Sequence, residues 1–291
     1  MANDFSKLAG MQYSGRVLHA ITTRDGEYGL GYTITGRQPS SQARRLVVGE
    51  KTGTISVQPV KDEESLKRMF PSETSTHEGL EKLLADLNSG SSALIYYPAI
   101  RPARGVGDIP VGIAGSNGVQ TNLIYSAFFR GAFTSLEILE AAFLYPHIMH
   151  DSQYDRDIDV TMYEPDSPNN TPRINFCLNL DDVNKFAMSL IGKKSDSDEK
   201  NVLTYRPFIE RRSVLSLPTY KGGNEKPLVS FFGDLLESKT DSVLAGDICE
   251  QLYEAIGPKY GKNYRVAAGV VILRDDDKID TSVINRADRG E

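Results

Sequence analysis

The stretch RVLHAITTRDGEYGLGYTIT, residues 16–35, decides the fold class of this chain. Its two ends, residues 16–22 and 28–35, are rich in residue types that favour β-strands. Between them lies Asp25-Gly26, a pair that tight hairpin turns prefer because glycine readily adopts the positive φ angle such turns require. The stretch therefore predicts two antiparallel strands joined by a short turn.

Strand and helix signals continue along the chain. A second hairpin is predicted around the turn Lys51-Thr52-Gly53, from residues 45–48 and 54–57. Further strands are predicted at residues 93–97, 111–115, 173–180, 185–191, 202–209, 212–217 and 264–273. Helices are predicted at residues 76–88, within residues 117–145 on both sides of a break at Arg130-Gly131, and at residues 241–256. Strands joined as hairpins, with helices inserted in pairs, predict an α+β fold with antiparallel sheets rather than a doubly wound parallel sheet.

The length and the hydrophobic content favour one large domain. The chain has 291 residues, of which 40% are hydrophobic, and no linker rich in proline, glycine or serine divides it. We expect a single domain over residues 1–274. Residues 275–291 are mostly charged and are predicted to form a solvated C-terminal tail.

The composition limits the partners of the protein. A formal net charge of -6 argues against a nucleic-acid partner held by a general basic surface. No apolar run approaches the roughly 20 residues that cross a bilayer, so we expect no membrane partner. The two cysteines, Cys177 and Cys249, lack a Cys-x-x-Cys spacing, and no signal peptide precedes them, so we expect a cytoplasmic location. Cys177 lies in an apolar strand pattern and is predicted to be a core residue.

Several familiar catalytic patterns are missing from the sequence. There is no Gly-x-Ser-x-Gly nucleophile motif, and Gly105-Val106-Gly107 lacks the third glycine of a dinucleotide-binding loop. His147 and His150 have a spacing that could bring two imidazoles together, but zinc sites usually need a third protein ligand. We interpret this pair as surface packing and predict no metal site.

Arginines follow the ends of several predicted strands, namely Arg37, Arg44, Arg45, Arg101 and Arg104. A guanidinium group matches the oxygens of a phosphate with two hydrogen bonds, so such placements suit a phosphorylated ligand. Surface ion pairing is the alternative for each of them, and the residues alone leave it open.

The run PNNTPRINF, residues 168–176, is the most informative feature for function. Its two prolines stiffen a polar corner just before a strand, although an ordinary turn has the same composition. Three other motifs accompany it in order: YSGR at residues 13–16, YTITGR at residues 32–37 and GSNGVQT at residues 115–121. Together these motifs resemble the archaeal-type IMP cyclohydrolases, which close the second ring of the purine in the last step of inosine monophosphate (IMP) synthesis.

The resemblance implies a set of site residues. The implied substrate-binding residues are Thr33, Thr35, Arg37, Arg44, Asn170, Thr171 and Arg173. The implied catalytic residues are Tyr97, Asn117 and Glu164. The chain departs from the family pattern at Thr33, where an arginine is expected, and at Gly36, where a serine is expected.

The resemblance also implies a fold and a reaction. The family has the four-layer αββα architecture of the N-terminal nucleophile hydrolases, but Ala2 after Met1 offers no such nucleophile. In the implied reaction, a carboxamide nitrogen attacks a formyl carbon of the same purine ribotide and water leaves, which requires positioning and proton transfer. No metal or organic cofactor is expected, and the family suggests a homo-oligomer. Two alternatives stay open: a hydrolase of another ribotide, and a nucleotide-binding regulatory protein.

Overall fold

A computed structural model of the chain describes residues 4–89, 96–131, 134–151, 156–259 and 261–290. Its strands are β1 Arg16–Thr22, β2 Tyr28–Thr35, β3 Arg44–Val48, β4 Ile55–Pro59, β5 Tyr97–Arg104, β6 Pro110–Ser116, β7 Ile148–Asp151, β8 Arg156–Asp159, β9 Arg173–Asn179, β10 Phe186–Lys193, β11 Lys200–Tyr205, β12 Ser213–Pro218, β13 Leu236–Lys239, β14 Arg265–Leu273 and β15 Ile279–Asn285. Its α-helices are Ser6–Ala9, Pro39–Gln42, Glu63–Met69, His77–Ser89, Gln120–Ala127, Ser135–Phe143, Ala245–Ala255 and Arg286–Arg289.

Within the described residues, the strands form two large antiparallel sheets and one small pair. The first sheet has the order β13-β12-β1-β2-β14-β15, and the second has the order β11-β10-β9-β6-β5-β4-β3. β7 and β8 pair separately. The hairpin predicted from residues 16–35 is present, with Thr22 opposite Tyr28 and Arg16 opposite Ile34. The prediction of a mixed α+β fold with antiparallel sheets is therefore confirmed.

One apolar cluster joins the two large sheets. It contains Leu18, Leu30 and Tyr32 from the first sheet together with Ile113 and Phe176 from the second, and all five are almost fully buried. Because side chains alternate along a strand, the neighbours Val17 and Ile21 of β1 face the opposite side of their sheet. Burial between the sheets is thus the main apolar contribution to stability.

Helices cover the other faces of the sheets. The helix Ala245–Ala255 packs on Val17, Ile21 and Val270 of the first sheet. The helices Gln120–Ala127 and Ser135–Phe143 pack on the second sheet at Ala114 and Cys177, so the prediction that Cys177 is a core residue is confirmed. Among the described residues, no helix is long and apolar enough to cross a membrane.

The predicted break in the segment 117–145 separates two helices. Gly131 has a φ of 84°, a conformation that glycine adopts without strain. The second helix then starts with a capping box: the Thr134 hydroxyl accepts a hydrogen bond from the Glu137 amide, and the Glu137 carboxylate accepts one from the Thr134 amide.

The structure describes only the end of the strand predicted at residues 93–97. Residues 93–95 lie outside the described part of the chain, and β5 begins at Tyr97, where the predicted strand ends. Pro98 and Pro102 argue against a strand because proline cannot donate to the ladder. β5 accommodates Pro98 beside a register irregularity at Ile55/Ser56 of β4.

The prediction of a solvated tail over residues 275–291 is wrong. Residues 279–285 form β15 at the edge of the first sheet, paired along its length with β14. Asn285 also links the two sheets: its Oδ1 accepts from the Leu46 amide at 2.7 Å, and its Nδ2 donates to the Leu46 carbonyl at 3.0 Å. The charge of the segment concealed a half-buried strand that forms a hairpin with the preceding strand β14 and is also held by Leu46, which is distant in sequence.

We predict that Asn285→Ala lowers the free energy of unfolding by about 2 kcal/mol, because it leaves a buried amide and a buried carbonyl of Leu46 without partners. Chemical denaturation measures the change, with Asp275→Ala in the exposed turn before β15 as the control. Equal stability of both variants and the wild type would contradict a stabilising contact between Asn285 and Leu46.

Candidate functional site

A cavity of about 870 Å³ opens where β1 begins and β2 ends. Its lining is polar and carries five basic side chains, namely Arg16, Arg37, Arg44, Lys226 and Lys262. Two carboxylates, Glu164 and Asp166, also line it. The cavity therefore carries a local excess of positive charge on a chain whose net charge is -6. Such a local cluster is what an anionic ligand of an acidic protein requires.

The wall of the cavity is built on a buried cluster of Arg16, Glu164 and Arg173. Arg16 binds the Glu164 carboxylate with two hydrogen bonds, of 2.7 Å from Nη1 and 3.1 Å from Nη2. Arg173 Nη1 donates to the same carboxylate from the other sheet. Glu164 and Arg173 are both below 5% exposed. One carboxylate thus connects β1, β9 and the loop before β9.

Asn117 orients this cluster from behind. Its side chain donates to the Pro172 carbonyl and accepts from the Ile174 amide, at 2.9 and 3.0 Å. Its own carbonyl oxygen accepts from Nη1 of Arg16 at 3.0 Å. Asn117 does not line the cavity, and its contacts fix the start of β9 and the direction of Arg16.

The charge state of Glu164 follows from its surroundings. Burial alone would raise the pKa of this carboxyl, but the nearby guanidinium groups of Arg16 and Arg173 outweigh burial and lower its pKa. Glu164 is therefore ionised at neutral pH. Because both of its oxygens already accept from arginines, it is a weak proton acceptor for a ligand.

Three tyrosines form an aromatic wall of the cavity. The Tyr13 ring stacks on Tyr220 with centroids 5.9 Å apart and meets the edge of Tyr264 at 5.6 Å. The Arg37 guanidinium lies 5.0 Å from the centre of the Tyr13 ring. The tyrosine rings can pack against a planar heterocycle, and the Arg37 guanidinium can bind an anionic group.

Two arginines of the cavity are free to meet an anion. Within the part of the chain that the structure describes, neither Arg37 nor Arg44 has a carboxylate within ion-pair distance. Arg37 donates to the Asn224 side chain and the Glu225 carbonyl, at 3.3 and 3.4 Å. The Nε of Arg44 is buried without a hydrogen-bond partner.

The structure brings together part of the predicted site. Thr35, Arg37, Arg44, Glu164 and Thr171 all line the cavity. Arg173 and Asn117 lie directly behind it, in contact with Glu164 or Arg16.

Tyr97 lies deeper than the resemblance implies. It is 1% exposed, belongs to the cluster between the sheets, and places its hydroxyl 2.9 Å from that of Tyr32. It does not line the cavity. Its neighbour Tyr96 is 57% exposed, so of these two tyrosines only Tyr97 lies in the core.

Thr33 and Asn170 lie outside the cavity lining. Thr33 lies on the face of its sheet that the helix Ala245–Ala255 covers. There its hydroxyl lies 3.1 Å from Nε2 of His19. Burial lowers the pKa of His19 to about 3, so this contact is a neutral hydrogen bond of the core. Asn170 bonds back to the Pro168 carbonyl, and Asn169 lines the cavity in its place.

Sequence reasoning missed Arg16, Asp166 and Tyr220 as site residues. Arg16 closes the motif YSGR, so that motif carried the signal. Asp166 stands two residues after Glu164 and five before Thr171, in the polar loop that leads to β9. Tyr220 follows β12, far along the chain, and no local pattern marks it.

The two histidines considered as metal ligands do not share a helix. His150 lies in β7 and its Nδ1 is 3.3 Å from the Asp157 carboxylate. Across the described ranges, no group of three or more His, Cys, Asp or Glu side chains is arranged to hold a metal ion.

Comparison with models of protein families finds no match for this chain, and comparison with curated proteins finds no significant match.

We predict that Glu164→Gln lowers the free energy of unfolding by about 3 kcal/mol at neutral pH, because two buried arginines lose their shared counter-charge. Glu237→Gln, which breaks a half-exposed ion pair with Lys239, is the control and costs less than about 1 kcal/mol. Denaturant titration of the variants measures both.

The difference in stability between the wild type and Glu164→Gln is predicted to depend on pH. Since the folded-state pKa of Glu164 lies below its ordinary value of 4.5, its contribution is complete above that pH and is lost as the pH falls through the lowered pKa. The stability difference between wild type and Glu164→Gln therefore shrinks at acid pH. A difference that grows on acidification would contradict the ionised carboxylate.

Proposed function

We propose that this protein is an IMP cyclohydrolase, which closes the six-membered ring of the formylated imidazole carboxamide ribotide to give IMP and water. The observation that carries the proposal is the cavity. It combines two arginines that have no carboxylate partner in the described part of the chain, a wall of tyrosines and an ionised, arginine-bound glutamate. A phosphorylated heterocycle matches these three features together.

Arg37 and Arg44 are proposed to bind the phosphate. Both line the cavity, and among the described residues neither forms an ion pair with a carboxylate. Lys226 and Lys262 add positive charge at the same cavity. The guanidinium fork fixes the direction of the phosphate as well as its position, which orients the rest of the substrate.

Ring closure then depends on positioning and charge. The carboxamide nitrogen and the formyl carbon belong to one molecule, so the reaction needs no encounter between two molecules. The protein has to hold the two groups in contact. The attack places negative charge on the formyl oxygen. The guanidinium of Arg16, held in place by Glu164 and the Asn117 carbonyl, is suited to stabilise that charge.

We also propose that the two sheets and their helices form the αββα sandwich of the N-terminal nucleophile hydrolases. Support comes from the apolar cluster that joins the sheets and from the helices packed on the opposite faces. The homo-oligomeric state and catalysis without a cofactor remain predictions of the resemblance, and the cytoplasmic location remains a prediction from the cysteine pattern.

We predict that the purified protein converts the formyl ribotide to IMP, which the absorbance of the purine ring follows. Binding of IMP without turnover of the formyl ribotide would contradict the proposed enzymatic activity and would favour a nucleotide-binding regulatory protein.

Arg37→Ala and Arg44→Ala are each predicted to weaken IMP binding at least tenfold, since a charge-assisted hydrogen bond contributes about 1.5–3 kcal/mol. Binding of inosine, which lacks the phosphate, should change little. Calorimetric titration of both ligands is the measurement. Arg24→Ala, in the exposed hairpin turn, is the control. Equal losses for IMP and inosine would mean that these arginines do not bind phosphate.

A further inference from the structure

Asp166, Thr171 and Tyr220 form a continuous chain of short hydrogen bonds at the cavity. The Thr171 amide lies 2.6 Å from Oδ1 of Asp166, and the Thr171 hydroxyl lies 2.5 Å from its Oδ2. The Tyr220 hydroxyl lies 2.6 Å from the Thr171 hydroxyl. All three residues line the cavity. The hydrogen bonds within the Arg16, Glu164 and Arg173 cluster involve none of these three side chains.

The directions of these hydrogen bonds follow from donor counting. An ionised carboxylate only accepts, so the Thr171 hydroxyl donates its single hydrogen to Asp166. The Tyr220 hydroxyl must then donate its hydrogen to Thr171. The phenolic oxygen keeps only lone pairs for a ligand in the cavity. Tyr220 therefore presents an acceptor and selects a group that carries an N–H or O–H.

We propose that Tyr220, Thr171 and Asp166 are a proton relay that removes the amide proton of the substrate during ring closure; this inference rests on the proposed function. The carboxamide N–H is the donor that the Tyr220 oxygen would accept. Tyr220 touches the substrate and is the catalytic residue. Thr171 and Asp166 act through it.

The proton transfers balance. As the carboxamide nitrogen bonds to the formyl carbon, its proton passes to Tyr220, the Tyr220 proton passes to Thr171, and the Thr171 proton passes to Asp166. The negative charge of Asp166 is thereby transferred to the formyl oxygen, beside the basic side chains of the cavity. The same chain then returns the proton to this oxygen, which becomes a hydroxyl group. As the carbon–oxygen bond breaks, the hydroxyl group leaves with the hydrogen of an N–H of the new ring, so that one water molecule departs and a carbon–nitrogen double bond forms.

Asp166 is better suited than Glu164 to receive the proton. Burial and the charge of Glu164 on the same loop raise the pKa of Asp166, against the opposing effects of Arg16 and of the bonds from Thr171. Arg173 at the start of β9 and Tyr220 after β12 are its other charged or titratable neighbours. Burial raises the pKa of Tyr220, which keeps its hydroxyl protonated between transfers.

Steady-state kinetics of Tyr220→Phe, Thr171→Val and Asp166→Asn tests the relay. Tyr220→Phe keeps the ring that stacks on Tyr13 and removes only the hydroxyl. Each variant should lower kcat about a hundredfold with little change in KM, as expected for lost proton transfer. Because the groups act in series, the double variant Tyr220→Phe/Asp166→Asn should be no slower than the slower single variant. The acid limb of the kcat profile should disappear in Asp166→Asn.

Two matched controls lose similar hydrogen bonds away from the cavity. Tyr205→Phe loses a 2.6 Å bond to the Gly233 carbonyl, and Thr161→Val loses a 2.8 Å bond to Asp159. Both should keep kcat within about twofold of wild type, and thermal melts should show all variants folded.

The outcomes separate the two proposals. Wild-type turnover combined with unchanged kcat in Tyr220→Phe, or with multiplied losses in the double variant, would overturn the relay and leave the proposed function standing. Absence of turnover in the wild type would overturn the proposed function and, with it, the role of the relay in ring closure.

Discussion

The Glu164 carboxylate, held between Arg16 and Arg173, is the interaction on which the site depends. Arg16 begins β1 in one sheet and Arg173 begins β9 in the other, so a single buried charge fixes the distance between the two sheets at the mouth of the cavity. Burying three charges is costly, and the two-bond contact with Arg16 and the carbonyl of Asn117 offset that cost. Any change that removes the shared carboxylate leaves two buried cations without a counter-charge.

Because of this constraint, the two carboxylates of the site, Glu164 and Asp166, have different roles. Both oxygens of Glu164 accept hydrogen bonds from arginines, and its pKa is lowered. Its role is therefore to position the two guanidinium groups. In the described structure, the Asp166 carboxylate accepts hydrogen bonds from the neutral amide and hydroxyl of Thr171, and its pKa is raised. Two acids separated by one residue thus acquire opposite chemical character from their neighbours. Arg37 and Arg44, left without carboxylate partners in the described structure, remain for the ligand.

Local patterns predicted much of the fold, and long-range contacts explain what they missed. The hairpin at residues 16–35 and the two helices around Gly131 depend on turns and caps that neighbouring residues encode. β15, which forms a hairpin with β14, was missed because its segment is mostly charged and because Asn285 is held by Leu46, more than 200 residues away along the chain. In the site, the resemblance implied Arg37, Arg44 and Glu164, which line the cavity, but also Thr33, which lies on the far face of its strand. Tyr220 enters only through tertiary packing with Tyr13 and Thr171.

A crystal structure of the protein soaked with IMP tests the central claim most directly, because it shows whether this cavity is a nucleotide site. The account predicts the phosphate within about 3.2 Å of the guanidinium of Arg37 or Arg44, and the purine against the rings of Tyr13, Tyr220 and Tyr264. IMP bound at another surface, or bound in the cavity with its phosphate away from both arginines, would contradict it.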